Sequence, residues 1–85
     1  MSNTFQTAVR KDVPREQRQD AINRLSETGD RRNLAVLVQM GGLNGEFRRR
    51  ALEALIDRNA TEQLESLAED HGVDPSLRRR AGEVV

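Results

Sequence analysis

The chain has 85 residues, and a third of them are charged, with fourteen acidic and fourteen basic side chains in balance. A chain of this length forms one small domain, which buries only about 60% of the surface that the unfolded chain exposes. The neutral net charge excludes a global basic field of the kind that drives non-specific nucleic-acid binding. The absence of cysteine excludes disulfides, thiolate nucleophiles and cysteine-ligated metal sites.

The apolar segments of the chain are short. The N-terminal residues lack the apolar stretch of a signal peptide. The longest apolar candidate, 34–43, is interrupted by polar residues and glycines and is far below the roughly 18 residues that a spanning helix needs. We therefore expect a cytoplasmic protein that does not contact a membrane.

Apolar residues recur at helical spacing along the whole chain, and no strand-like alternation occurs. A short apolar pattern at Phe5, Ala8 and Val9 precedes the first clear helix start. The predicted helices then follow in chain order: 14–28, 31–41, 45–58, 62–71 and a last one that begins at 74–75. Their predicted inward stripes are Ala21/Ile22/Leu25, Leu34/Leu37/Val38, Phe47/Ala51/Leu52/Leu55, Leu64/Leu67/Ala68 and Leu77/Ala81/Val84. These elements predict an all-α domain of five to six short helices.

Turn residues separate the predicted helices. Gly29 suits the left-handed position after a helix, and Asn59 replaces it thirty residues later. Asp30 and Thr61 are predicted N-caps of the helices that follow these turns. An Asp-Pro pair at 74–75 is typical of a helix start.

A thirty-residue repeat organises these elements. When 18–47 is compared with 48–77, identities fall at six positions that carry core residues, helix stops and one arginine: Arg18/Arg48, Ala21/Ala51, Leu25/Leu55, Leu34/Leu64, Leu37/Leu67 and Gly42/Gly72. A fixed period of this length is typical of stacked supersecondary units. We predict a single domain over 1–85, with a partial unit at 1–17, repeats at 18–47 and 48–77, and a truncated third repeat at 78–85.

The repeated pattern resembles HEAT-type repeats of the short, roughly thirty-residue form found in phycobilisome-lyase-like HEAT proteins. The resemblance rests on an apolar residue followed by Arg-x-x-Ala-x-x-x-Leu, as in Phe47-Arg48, Ala51 and Leu55. It implies a short right-handed α-solenoid. HEAT-type repeats serve many unrelated roles, so the resemblance implies a fold and leaves the function open.

Arginine occurs at the same position of all three repeats. Arg18, Arg48 and Arg78 lie about 60° from the centre of the buried stripe, and we interpret them as a structural ladder whose heads pair with carboxylates or helix-end carbonyls. Two further pairs, Arg49/Arg50 and Arg79/Arg80, are predicted to point outward. The alternative for these pairs is a nucleic-acid contact.

The second helix of each repeat carries the predicted partner-binding face, since this helix usually faces the client in HEAT-type proteins. Its members are Arg32, Val36, Gln39, Met40, Glu62, Glu65 and Glu69. Val36 and Met40 either form an apolar contact patch or cover the N-terminal apolar residues, and the second interpretation is favoured.

The predicted function is that of a non-enzymatic protein-interaction module or small scaffold, with an unknown protein partner and a possible homodimer formed through a terminal repeat. No catalytic, cofactor or metal motif occurs, and the only histidine, His71, has no ligand-spaced partner nearby. Two alternatives remain: a nucleic-acid-binding repeat, which the neutral charge disfavours, and an accessory subunit of a lyase-type enzyme, which only the family resemblance implies.

Overall fold

The computed structural model describes residues 3–85, without the side chain of Asn3; the first two residues of the predicted partial unit 1–17 lie outside this range. Within it, the predicted all-helical fold is confirmed, because the described residues form six helices and no strand. The helices are α1 (Asn3–Val9), α2 (Arg15–Glu27), α3 (Arg31–Gln39), α4 (Gly45–Asp57), α5 (Thr61–Glu69) and α6 (Pro75–Glu83). None of them is both long and apolar enough to cross a membrane.

The helix boundaries repeat at intervals of thirty residues. α4 begins and ends thirty residues after α2, and α5 does the same with respect to α3. The turns repeat as well: Asp30 N donates to Leu25 O at 2.9 Å, and Ala60 N donates to Leu55 O at 3.0 Å. Each of these turns contains a residue with left-handed backbone, Gly29 with φ 70° and Asn59 with φ 53°. The conformations predicted for this glycine and asparagine are therefore confirmed.

Among the described residues, side-chain caps begin three of the helices. Asp30 accepts from Asn33 N, Asn44 accepts from Glu46 N, and Asp74 accepts from Ser76 N. These bonds satisfy backbone N–H groups that have no partner inside the helix.

The prediction that Thr61 caps α5 is wrong. The cap position is Ala60, which makes no side-chain hydrogen bond, and Thr61 is the first helical residue. Ala60 is completely buried, and the turn bond from its N–H to Leu55 O fixes the chain at the entry to α5. At the start of α5, the backbone hydrogen bond of Ala60 and the burial of its side chain thus take the place of a capping side chain.

One continuous core joins all six helices, and every fully buried side chain in it is apolar among the described residues. Ile22, Leu34, Leu37, Leu52 and Leu55 have no exposed surface. Two residues of the predicted inward stripes are not fully buried. Ala68 is only half-buried, and Val84 is 39% exposed because α6 ends at Glu83 and leaves it at the C-cap.

Helices pack against their sequence neighbours and also against the helix two places further along. α1 packs on α2, α3 on α4 and α5 on α6, while α2 contacts α4, α4 contacts α6, and α3 contacts α5. The accessible surface of 5229 Å² is close to the roughly 5,100 Å² expected for a compact monomer of this mass. The helices therefore pack into one compact domain.

Candidate functional site

A groove of about 330 Å³ separates α3 from α5. Its α3 wall consists of Arg32, Ala35, Val36 and Gln39, which lie on one face of the helix because they are spaced three and four residues apart. Its α5 wall consists of Glu62, Gln63, Ser66 and Leu67. The groove thus has an apolar middle with polar and charged side chains of both signs along it.

Val36 is the exposed apolar residue of this groove. The residue is 36% exposed, and the only other large exposed hydrophobic residues in the described part of the chain are Val84 and Val85. Gln39, at the end of the same row, donates from Nε2 to Asp70 Oδ2 at 3.2 Å. Val36 and Gln39 thus mark the apolar middle and the polar end of the α3 wall.

Met40 does not belong to the groove. It is half-buried and packs against the core. α3 ends at Gln39, and Met40 has an extended backbone with ψ 97°, so its side chain leaves the helical row that Val36 occupies. The predicted pair of Val36 and Met40 is therefore divided between a surface and the core.

The three predicted glutamates lie along α5. Glu62 belongs to the groove, and Glu62, Glu65 and Glu69 also line a second depression, together with Ser66, Ala68 and Val85. In the thirty-residue repeat these glutamates correspond to Arg32, Ala35 and Gln39. The predicted face thus consists of equivalent faces of two helices. The face on α3 carries polar and apolar side chains, and the face on α5 is acidic.

The groove also contains residues that sequence reasoning missed, namely Ala35, Gln63, Ser66 and Leu67. Ala35 could have been found from the spacing, since it lies three residues after Arg32 and four before Gln39. The α5 residues required knowledge of which helix packs against α3.

Two members of the predicted arginine ladder bind carbonyl oxygens. Arg18 Nε donates to Ala8 O at 3.0 Å, and Arg48 Nε donates to Leu43 O at 3.1 Å. The Arg18 guanidinium also lies 4.5 Å from the centroid of the Phe47 ring, which is a cation–π distance. Arg78, the third member, makes no side-chain hydrogen bond or ion pair within residues 3–85.

The outward arginines have different surroundings. Arg80 donates to Glu53 from Nε at 3.1 Å and from an Nη at 3.3 Å, and this carboxylate raises the pKa of Arg80 above its ordinary value. Arg49 and Arg79 are exposed. Arg50 was predicted to point outward, but it is half-buried. Its Nε is buried and has no hydrogen-bond partner in the described part of the chain.

Histidine, aspartate and glutamate side chains do not gather at a metal-binding distance anywhere in residues 3–85. His71, in the turn after α5, is exposed. Comparison with protein-family models, with curated proteins and with solved structures finds no match to this chain.

Proposed function

We propose that the chain is a small non-enzymatic protein-interaction module, built as a short right-handed α-solenoid of HEAT-type repeats. The thirty-residue recurrence of helix bounds and turn hydrogen bonds supports this architecture. The packing of α2 on α4, α4 on α6 and α3 on α5 is the pattern expected when equivalent helices stack side by side.

The observation that carries the proposed function is the groove between α3 and α5. Val36 exposes its apolar side chain there, next to Ala35 and Leu67, and charged or amide groups of both walls surround them. An apolar anchor surrounded by groups that form hydrogen bonds is the usual composition of a protein-binding surface. A short segment of the partner, with one apolar residue that contacts Val36, fits a depression of this size.

Site-directed photo-crosslinking tests this function. We expect a photoreactive amino acid at position 36 to give a discrete crosslinked product in the native cytoplasm, because the side chain there contacts the partner. The same amino acid at Arg49, which is exposed on α4, serves as the matched control and should give none.

A second variant controls for chance collisions. Ser66→Arg places a long charged side chain in the groove from an exposed position on α5, so it should weaken crosslinking from position 36 and leave the unfolding midpoint close to that of the unsubstituted chain. Equal product from positions 36 and 49, or no effect of Ser66→Arg on the product, would remove the groove from consideration.

The surface favours a protein partner over a nucleic acid. Of the four outward arginines, Arg80 is held by Glu53 and Arg50 is half-buried, which leaves Arg49 and Arg79 exposed. Two free cations supply little of the phosphate neutralisation on which nucleic-acid affinity depends. Salt-dependent binding of an oligonucleotide that requires Arg49 and Arg79 would reverse this preference. The role as a lyase-type accessory subunit rests on the family resemblance alone.

A further inference from the structure

The exposed face of α5 carries three glutamates without a charged partner. Glu62, Glu65 and Glu69 are exposed and, within residues 3–85, make no ion pair or side-chain hydrogen bond. Their spacing of three and four residues makes them neighbours on the helix surface, where like charges repel one another. Two glutamates of α4 are instead paired across helices, one with an arginine of α2 and the other with an arginine of α6.

These carboxylates do not stabilise α5. Glu69 is its last residue, Asp70 is the C-cap, and no basic residue lies in the last turn. The C-terminal end of a helix carries a partial negative charge, so acidic groups there are unfavourable. Departures from such local rules are expected at functional sites, where binding takes precedence over stability.

The acidic face adjoins the α3–α5 groove. Glu62 and Ser66 line both the groove and a depression of about 480 Å³ next to it, which Glu65 and Glu69 also line. A segment that places an apolar side chain against Val36 in the groove can therefore extend over these carboxylates.

We propose that the partner of the groove is a basic protein segment, in which one apolar residue contacts Val36 and lysine or arginine side chains pair with Glu65 and Glu69. This inference rests on the function proposed for the groove and adds the chemical class of the partner. Three glutamates and one arginine, Arg32, line the groove and the depression. Complementary charge speeds the association of the right partner and disfavours partners of the wrong charge, so an acidic segment or a nucleic-acid strand is repelled here.

The charges also give the groove a direction. Arg31 Nη2 donates to Arg58 O at 3.3 Å where α3 begins and just before α5, and Gln39 Nε2 donates to Asp70 Oδ2 at 3.2 Å where both helices end. The two helices therefore run in the same direction, with arginines near their starts and carboxylates near the end of α5. The dipoles of the helices have the same polarity. The basic residues of the partner thus belong over the C-terminal half of α5.

An NMR titration at low ionic strength measures the preference for charge. The probe is an end-capped peptide with one leucine between two runs of three lysines, and two reference peptides carry glutamine or glutamate in place of lysine. The lysine peptide should shift the backbone amide resonances of Val36, Glu65 and Glu69 together. It should bind about tenfold more tightly than the glutamine peptide, because two surface ion pairs contribute about threefold each. The glutamate peptide should bind more weakly than either.

Two double variants locate the charges that matter. Glu65→Gln combined with Glu69→Gln should weaken binding of the lysine peptide about tenfold and leave the affinity for the glutamine peptide unchanged. Glu16→Gln combined with Glu27→Gln removes the same charge from exposed positions of α2 and should change the affinity by less than about twofold. All four positions are exposed, so both variants should keep the melting temperature of the unsubstituted chain.

The proposal is overturned if the lysine and glutamine peptides bind equally, if the glutamate peptide binds most tightly, or if the two double variants lose the same affinity. Photo-crosslinking from position 36 separates these failures from a failure of the groove itself. A crosslinked product that persists undiminished in the Glu65→Gln/Glu69→Gln chain retains the groove and overturns the basic partner. The absence of any product from position 36 in the unsubstituted background refutes the function proposed for the groove.

Discussion

The turn between α2 and α3 offers a stability prediction that depends on one backbone angle. Gly29 has φ 70°, and a Cβ added there meets no atom within 4 Å. A substitution to alanine is therefore opposed only by the residue's own backbone, at a cost of about 1–2 kcal/mol. The alanine also restricts the conformations of the unfolded chain, which raises the free energy of unfolding by about 0.4–1 kcal/mol. We expect Gly29→Ala to lower the free energy of unfolding by about 1 kcal/mol, the difference between these two effects.

Gly41 provides the matched control. A Cβ added at Gly41 also meets no atom within 4 Å, but the φ of this residue lies outside the left-handed range. Gly41→Ala therefore has only the effect on the unfolded chain, and we expect it to be neutral or to stabilise by up to about 1 kcal/mol. Gly29→Asn should cost less than Gly29→Ala, because Asn59 adopts φ 53° at the equivalent turn.

Urea unfolding followed by far-ultraviolet circular dichroism measures these differences. In a domain of this size, 1 kcal/mol also corresponds to a shift of roughly 4–8 °C in the melting temperature. Equal losses for Gly29→Ala and Gly41→Ala would refute the reasoning, because the backbone angle would then make no difference. A Gly29→Asn variant less stable than Gly29→Ala would refute the comparison with Asn59.

Three further outcomes are expected. Leu55→Ala in the core should cost about 3–5 kcal/mol in urea unfolding, whereas Val36→Ala at the groove should cost less than about 0.5 kcal/mol. The hydrogen bond from Ser76 lowers the pKa of Asp74. The ionised Asp74 cap therefore stabilises the fold at pH values above the ordinary aspartate pKa, and this contribution is lost as the pH falls through the lowered pKa. Asp74→Asn should flatten the acid limb of a melting-temperature profile between neutral pH and about pH 2. The variant that combines Gln17→Leu and Gly82→Leu should self-associate in light scattering at concentrations where the unsubstituted chain is monomeric, and a monomeric variant would contradict this expectation.

The helices and turns were predictable because their signals are local. Apolar spacing and the turn residues Gly29 and Asn59 determine where each helix runs, and no long-range contact overrides them. Met40 was misplaced because its spacing from Val36 suits a continuing helix, while the backbone becomes extended at that residue. The predicted helix ended at residue 41 and α3 ends at Gln39, and a two-residue difference in the end of a helix is below the resolution of sequence patterns.

The surfaces were less predictable, because they depend on which helices meet. The α3 wall of the groove follows from spacing, but its α5 wall depends on the packing of α3 against α5. Arg50 and Arg80 occupy equivalent positions of the repeat, but only Arg80 pairs with a carboxylate, that of Glu53; the position on α2 that corresponds to Glu53 is Asn23. The repeat alignment contains that difference, but only the packing of α2 on α4 and of α4 on α6 gives it a physical meaning.

The first and third units of the repeat differ from the second at positions that bear on whether two copies of the chain could pair through a terminal unit. Phe47 is buried where α4 packs on α2, yet the equivalent position of the first unit carries an exposed glutamine, Gln17. Ile22 and Leu52 are completely buried, and the equivalent position of the third unit is the exposed glycine Gly82. Phe47 and Leu52 of the second unit thus correspond to an exposed glutamine in the first unit and an exposed glycine in the third. A homodimer through a terminal repeat would have to form without these contacts. The groove at Val36 lies between α3 and α5 and not at these positions, so we expect a partner to bind there.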